Sequence, residues 1–233
     1  MKRISCIIAS LFVMVTLVTG CSDKGTLMTD KEKVLSILND RYETEFSYKG
    51  YQENQQRYAE IYVEARNLPE YLIVAHVEVD TLGELQVRDN YMSYYYIHEI
   101  AEKVKEAARY AFGTNVLVKM RVLRHALDNV YTKDAAFEDI IHDSSKLYLC
   151  DIAIENATGD LWEARDRDMD AFVNKLKEAG ISMNGSIYYL SSDDYSCFKE
   201  ENFSDESNWN WNDGVGTFEM DGEKSAIKWY PVQ

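Results

Sequence analysis

The chain has 233 residues, 46% of them hydrophobic and 28% charged, with only two prolines, a composition that excludes a disordered protein and fits a globular one. Its formal net charge is −15. Such an acidic surface repels nucleic-acid phosphates and anionic headgroups, which argues against DNA or RNA partners and against a polybasic membrane patch.

The chain opens with Met1-Lys2-Arg3 and an apolar run from Ile7 to Val18. That run falls short of the ~20 apolar residues needed to cross a bilayer and ends in small residues, which is the layout of a secretory signal. It closes on Leu17-Val18-Thr19-Gly20-Cys21. This segment resembles the lipobox of bacterial lipoproteins, with an aliphatic residue three before the cysteine and small residues at the next two positions. The resemblance implies lipid transfer to Cys21 and cleavage between Gly20 and Cys21. The competing reading is an ordinary signal peptide, or an uncleaved helix, that happens to contain a cysteine.

Residues 1–20 hold Lys2 and Arg3 and no acid, so their removal leaves 23 basic against 40 acidic residues, a net −17. Membrane attachment then rests on acyl chains. Residues 21–29 are a short tether. The eight residues Ser22 to Thr29 reach at most ~29 Å when extended, so the folded part sits close to the membrane.

Asp30 is placed to cap a helix with Val34, Leu35, Ile37 and Leu38 on one side. Glu45 to Tyr51 reads as a first strand. Tyr58 to Arg66 alternates, with Ala59, Ile61, Val63 and Ala65 facing one way. Asn67-Leu68-Pro69-Glu70 supplies a turn, Tyr71 to Asp80 alternates again, and Leu85 to Arg88 returns as its partner. The clearest helix carries Ile97, Ile100, Ala101, Val104, Ala108, Ala111 and Phe112 at three- and four-residue steps, with Gly113 as its stop. Val116 to Val122 follows as a strand.

In the second half, Asp134 to Asp143 is a short helix and Leu147 to Ile154 an apolar strand. Leu161 to Ala179 is a helix with Trp162, Met169, Phe172, Val173 and Leu176 on one face, ended by Gly180. Ser186 to Leu190 is a strand, and Gly216 to Met220 and Ala226 to Val232 form a hairpin at Asp221-Gly222. The reading is α+β, mainly antiparallel sheet with helices on one face. It divides into two packed subdomains, 30–125 and 126–233. This order of elements behind this leader resembles small lipoproteins of unknown function from Gram-positive gut bacteria, a resemblance that implies no catalytic residues.

Motif candidates are few. His98-Glu99-Ile100-Ala101-Glu102 opens like a zinc-protease motif but has Glu102 where the second histidine belongs. Asp166-Arg167-Asp168-Met169-Asp170 starts like a calcium loop, yet Ala171 replaces the glycine and Lys177 the closing glutamate. The expectation is no metal and no cofactor. After lipidation Cys150 and Cys197 are the remaining thiols, read as free, with a disulfide as the alternative. The histidines at 76, 98, 125 and 142 form no readable triad.

Ser207-Asn208-Trp209-Asn210-Trp211-Asn212-Asp213-Gly214 is unusual in composition. Trp209 and Trp211 either cover the core or form a contact surface for a peptide or sugar. The functional expectation is an extracytoplasmic protein held to the cell membrane by lipid on Cys21. Its domain is non-enzymatic and contacts an envelope protein or glycan; the alternative is an envelope hydrolase with a carboxylate site that leaves no motif.

Overall fold

A computed structural model describes residues 31–54, 58–143, 147–157, 160–199, 214–221 and 224–230. The fold is α+β, built on two sheets.

The first is a meander. Helix α1 (Lys31–Tyr42) buries Val34, Leu38 and Tyr42 at four-residue steps, so one stripe meets the sheet. Its expected cap, Asp30, lies outside the described residues. Strands β1 (Phe46–Asn54), β2 (Tyr58–Ala65), β3 (Leu68–Val79) and β4 (Leu85–Asp89) lie in that order, all antiparallel. The β2 alternation is seen as expected: Ile61 opposes Ala75, Val63 opposes Ile73, and all four are buried. The turn expected at Asn67 to Glu70 is tighter, because Leu68 already pairs with Ala65. Pro69 is tolerated inside β3 because β4 pairs only with Ala75–Val79, leaving the other side of β3 open at Pro69.

Helix α2 (Tyr91–Tyr95) then leads into α3 (Ile97–Phe112). The second sheet holds β5 (Val116–Val122), β6 (Tyr148–Glu155), β7 (Asn184–Leu190), β8 (Val215–Asp221) and β9 (Lys224–Tyr230) in sequential order. All neighbours are antiparallel except β6 and β7. That parallel pair follows from the connection, since a crossover helix, α5 (Arg165–Glu178), lies between them. The single helix expected from Leu161 begins instead as a 3-10 turn over Asp160–Ala164. At the β8–β9 hairpin Asp221 opposes Lys224, and positions 222 and 223 lie outside the described residues.

The division expected between 125 and 126 does not match the change of sheet, because β5 pairs with β6 along its whole length, from Val116 opposite Ile154 to Val122 opposite Tyr148. The stripe of α3 likewise fills the second core: Ile100, Val104, Ala108 and Phe112 pack with Met169, Phe172 and Leu176 of α5 over Ile152, Ile187 and Phe218. An amphipathic helix and an alternating strand show that they bury a face, but not against which sheet. The two cores adjoin. Tyr96 and Val122 pack against both, and α4 (Phe137–Asp143) gives Ile140 to one and Ile141 to the other.

Helices α3 and α5 cover one face of the second sheet. The short helix α6 (Ser192–Lys199), not anticipated from the pattern, lies on the opposite face, where Phe198 packs with Ala153, Tyr188 and Leu190.

Candidate functional site

Because side chains alternate along a strand, the face of the second sheet turned away from α3 and α5 carries a set of its own. Register places Lys119, Asp151, Ser186, Thr217 and Lys228 in one row across the five strands. The next row is Arg121, Leu149, Asn184, Glu219 and Ala226. Long side chains stand on the outer strands and short ones on β7. The result is a polar trough of about 310 Å³, lined among others by Arg121, Asp151, Asn184, Ser186, Thr217 and Lys228.

The trough is organised around a buried acid. Asp151 is 2% exposed although the run Leu147 to Ile154 around it is otherwise apolar. A carboxylate removed from water must be paired. Arg121 Nη2 lies 2.7 Å from Asp151 Oδ2, and the Tyr188 hydroxyl donates to Asp151 Oδ1 at 3.3 Å. Arg121 keeps half of its side chain in solvent, so its remaining N–H groups reach the rim. Lys119 places its Nζ 5.2 Å above the Phe198 ring, tying the sheet to α6. The hydroxyls of Ser186 and Thr217 and the Asn184 amide, all half-buried, have no hydrogen-bond partner among the described residues. The trough therefore offers donors at Arg121 and Lys228, an acceptor at Glu219, and groups that do both on its floor.

Sequence reasoning missed this surface. One signal was available: Asp151 interrupts an apolar run, and an acid at a strand-core position demands a partner.

On the other face an aromatic cluster closes the core. Trp162 meets Tyr189 at 5.4 Å and Trp229 at 5.5 Å between ring centres, both edge-on. The Arg165 guanidinium lies 4.6 Å from the Trp162 ring centre. Trp229 Nε1 donates to Asp166 Oδ1 at 2.6 Å. Gly214 and Gly216 are required here, since a Cβ at either would collide with the Trp162 or Trp229 ring. These rings lie against backbone and guanidinium, an arrangement that anchors β8 and β9 to α5. Burial pushes the Tyr189 phenol well above its ordinary range.

The residues singled out from the sequence are scattered. Gly20, Cys21, Trp209 and Trp211 lie outside the described residues. His98 and Glu102 sit exposed on α3, and His98 Nε2 lies 3.9 Å from Glu70. Asp166 and Asp168 occupy the first turn of α5, where acids suit the positive helix start. Among the described residues no group of three or more His, Cys, Asp or Glu is arranged to hold a metal. Cys150 is a buried free thiol whose pKa burial raises, and Cys197 is free and exposed on α6. Among the described residues no helix is long and apolar enough to cross a membrane.

No family profile and no curated protein matches the chain. Among solved structures, a DUF5037 family protein from Ruminococcus gnavus ATCC 29149 aligns over 83% of this chain and 93% of its own, at 12% identity and a TM-score of 0.40.

Proposed function

We propose that the protein is a lipid-anchored extracytoplasmic binding domain, held at the cell membrane through Cys21, with the polar trough of the second sheet as its contact surface. The observation that carries the anchor is the order of features at the start of the chain: basic opening, short apolar run, then Val18-Thr19-Gly20-Cys21. The tether is short, so the domain works within a few nanometres of the membrane and suits an envelope partner. The trough supports the binding reading because its floor groups have no partners among the described residues.

Membrane fractionation and mass spectrometry test the anchor. The wild-type chain should begin at Cys21, carry a diacylglyceryl group and sediment with membranes. The Cys21→Ala variant should stay unprocessed or leave the membrane fraction. An unmodified Cys21, or a mature chain starting elsewhere, would overturn the reading.

A second reading is a hydrolase using two carboxylates, favoured by Asp151 and Glu219 lining the same trough. Against it, Asp151 is already held by Arg121 and Tyr188. Hydrolysis of envelope polymers that is lost in both Asp151→Asn and Glu219→Gln would establish it.

A further inference from the structure

The geometry points to a neutral saccharide as the occupant of the trough. This inference rests on the reading of the chain as a binding domain and names the chemical class that the domain takes. Ser186, Thr217 and Asn184 form a floor of half-buried groups, each able to give and to take a hydrogen bond, with no partner among the described residues. Polar groups partly withdrawn from water gain most from a ligand that matches them group for group. A sugar ring, whose neighbouring hydroxyls each donate and accept, provides that match.

The charges at the rim select against ionic ligands. Arg121 is committed to Asp151 at 2.7 Å, and exposed Lys228 shares the trough with exposed Glu219. An anion would meet Glu219 and a chain of net charge −15, and a cation would meet Arg121 and Lys228. A neutral ligand meets neither penalty.

An extended peptide is disfavoured for a different reason. It binds a sheet through an open strand edge, but the floor lies over β7 and β8, which are paired on both sides. Recognition there must use side chains alone. Tyr230 adds what a sugar needs besides hydrogen bonds. It is 53% exposed on the same face as Lys228, opposite Val215 and one row beyond Thr217, outside the trough's own lining, where an exposed ring can stack on the C–H face of a pyranose that extends past the trough. The volume of about 310 Å³ lies near the lower end of small-ligand cavities, which suits a short stretch of a glycan.

The test is calorimetric titration of the mature lipidated protein in detergent micelles. The probes are triacetylchitotriose, cellotriose and maltotriose, with an end-blocked, uncharged hexapeptide of alternating Ala and Thr for contrast. At least one trisaccharide should bind, and the double variant Ser186→Ala with Thr217→Val should weaken it about tenfold or more, at an unchanged thermal midpoint. Tyr230→Ser, at an exposed position, should weaken it as well. Saccharide binding indifferent to these variants would overturn the site. Binding of the peptide alone, sensitive to the double variant, would overturn the saccharide class and leave the trough as a binding surface. Binding of no probe would overturn both the class and the trough reading.

Discussion

Arg41 of α1 reaches across to Asp89 at the end of β4, its Nη1 lying 2.7 Å from Oδ2, while its Nη2 donates to the Val87 carbonyl at 2.9 Å. The same carboxylate accepts the Tyr42 hydroxyl at 2.8 Å and the Tyr91 backbone N–H at 3.0 Å. Three elements are thus fastened at one buried acid, whose side chain is 1% exposed. Removing one partner strands a charge in the interior. Arg41→Met should cost about 3 kcal/mol in urea unfolding, and Arg41→Met with Asp89→Asn should cost less than the single change. A double variant less stable than Arg41→Met would contradict this account.

The close packing of Gly216 under Trp229 gives the second prediction. A methyl group there must displace the indole, which is also held by Asp166. Gly216→Ala should lose about 1–3 kcal/mol, the usual cost of overpacking, and should change the near-ultraviolet dichroism of the tryptophans. An unchanged spectrum would show that Trp229 is not seated on Gly216.

Val104 is fully buried in the middle of the α3 stripe. Val104→Asp should destabilise the fold by several kcal/mol, a large part of the roughly 5–15 kcal/mol available to a domain. Cooperative unfolding near the wild-type midpoint would mean that the buried face of α3 is misassigned.

His76 supplies the pH dependence. It packs on Tyr58 with 4.2 Å between ring centres, and its Nε2 lies 3.3 Å from Glu78. Burial, then the nearby Arg88, holds its pKa below the ordinary 6.5, and Glu78 and Glu60 oppose that shift. Between the ordinary value and the lower folded one, the unfolded chain binds more protons than the folded chain. Stability should therefore fall as pH drops through 6.5 toward the folded pKa. Chemical denaturation across that window, compared with His76→Gln, isolates the effect. A variant with the same slope as wild type would remove His76 as its source.

The strand alternation of Tyr58 to Ala65, the stripe of Ile97 to Phe112 and the glycine stops at Gly113 and Gly180 all follow from local chemistry, and the sequence alone determined them. In each case the deciding partners lie within a few residues: an apolar period, or a backbone that needs positive φ. The pairing of β5 with β6, from Val116 opposite Ile154 to Val122 opposite Tyr148, the parallel step that sets Leu149 beside Asn184, and the contact of Phe198 in α6 with Ala153 of β6 all depend on partners far along the chain. No local pattern encodes them. The trough belongs to this second kind. Arg121, Asp151, Ser186, Thr217 and Lys228 come from five strands, and of these only Asp151, set in an apolar run, stands out in the chain. Only the lateral register of the sheet, set by burial of the opposite face, brings them into adjoining rows and gives Asp151 the partner that its burial requires.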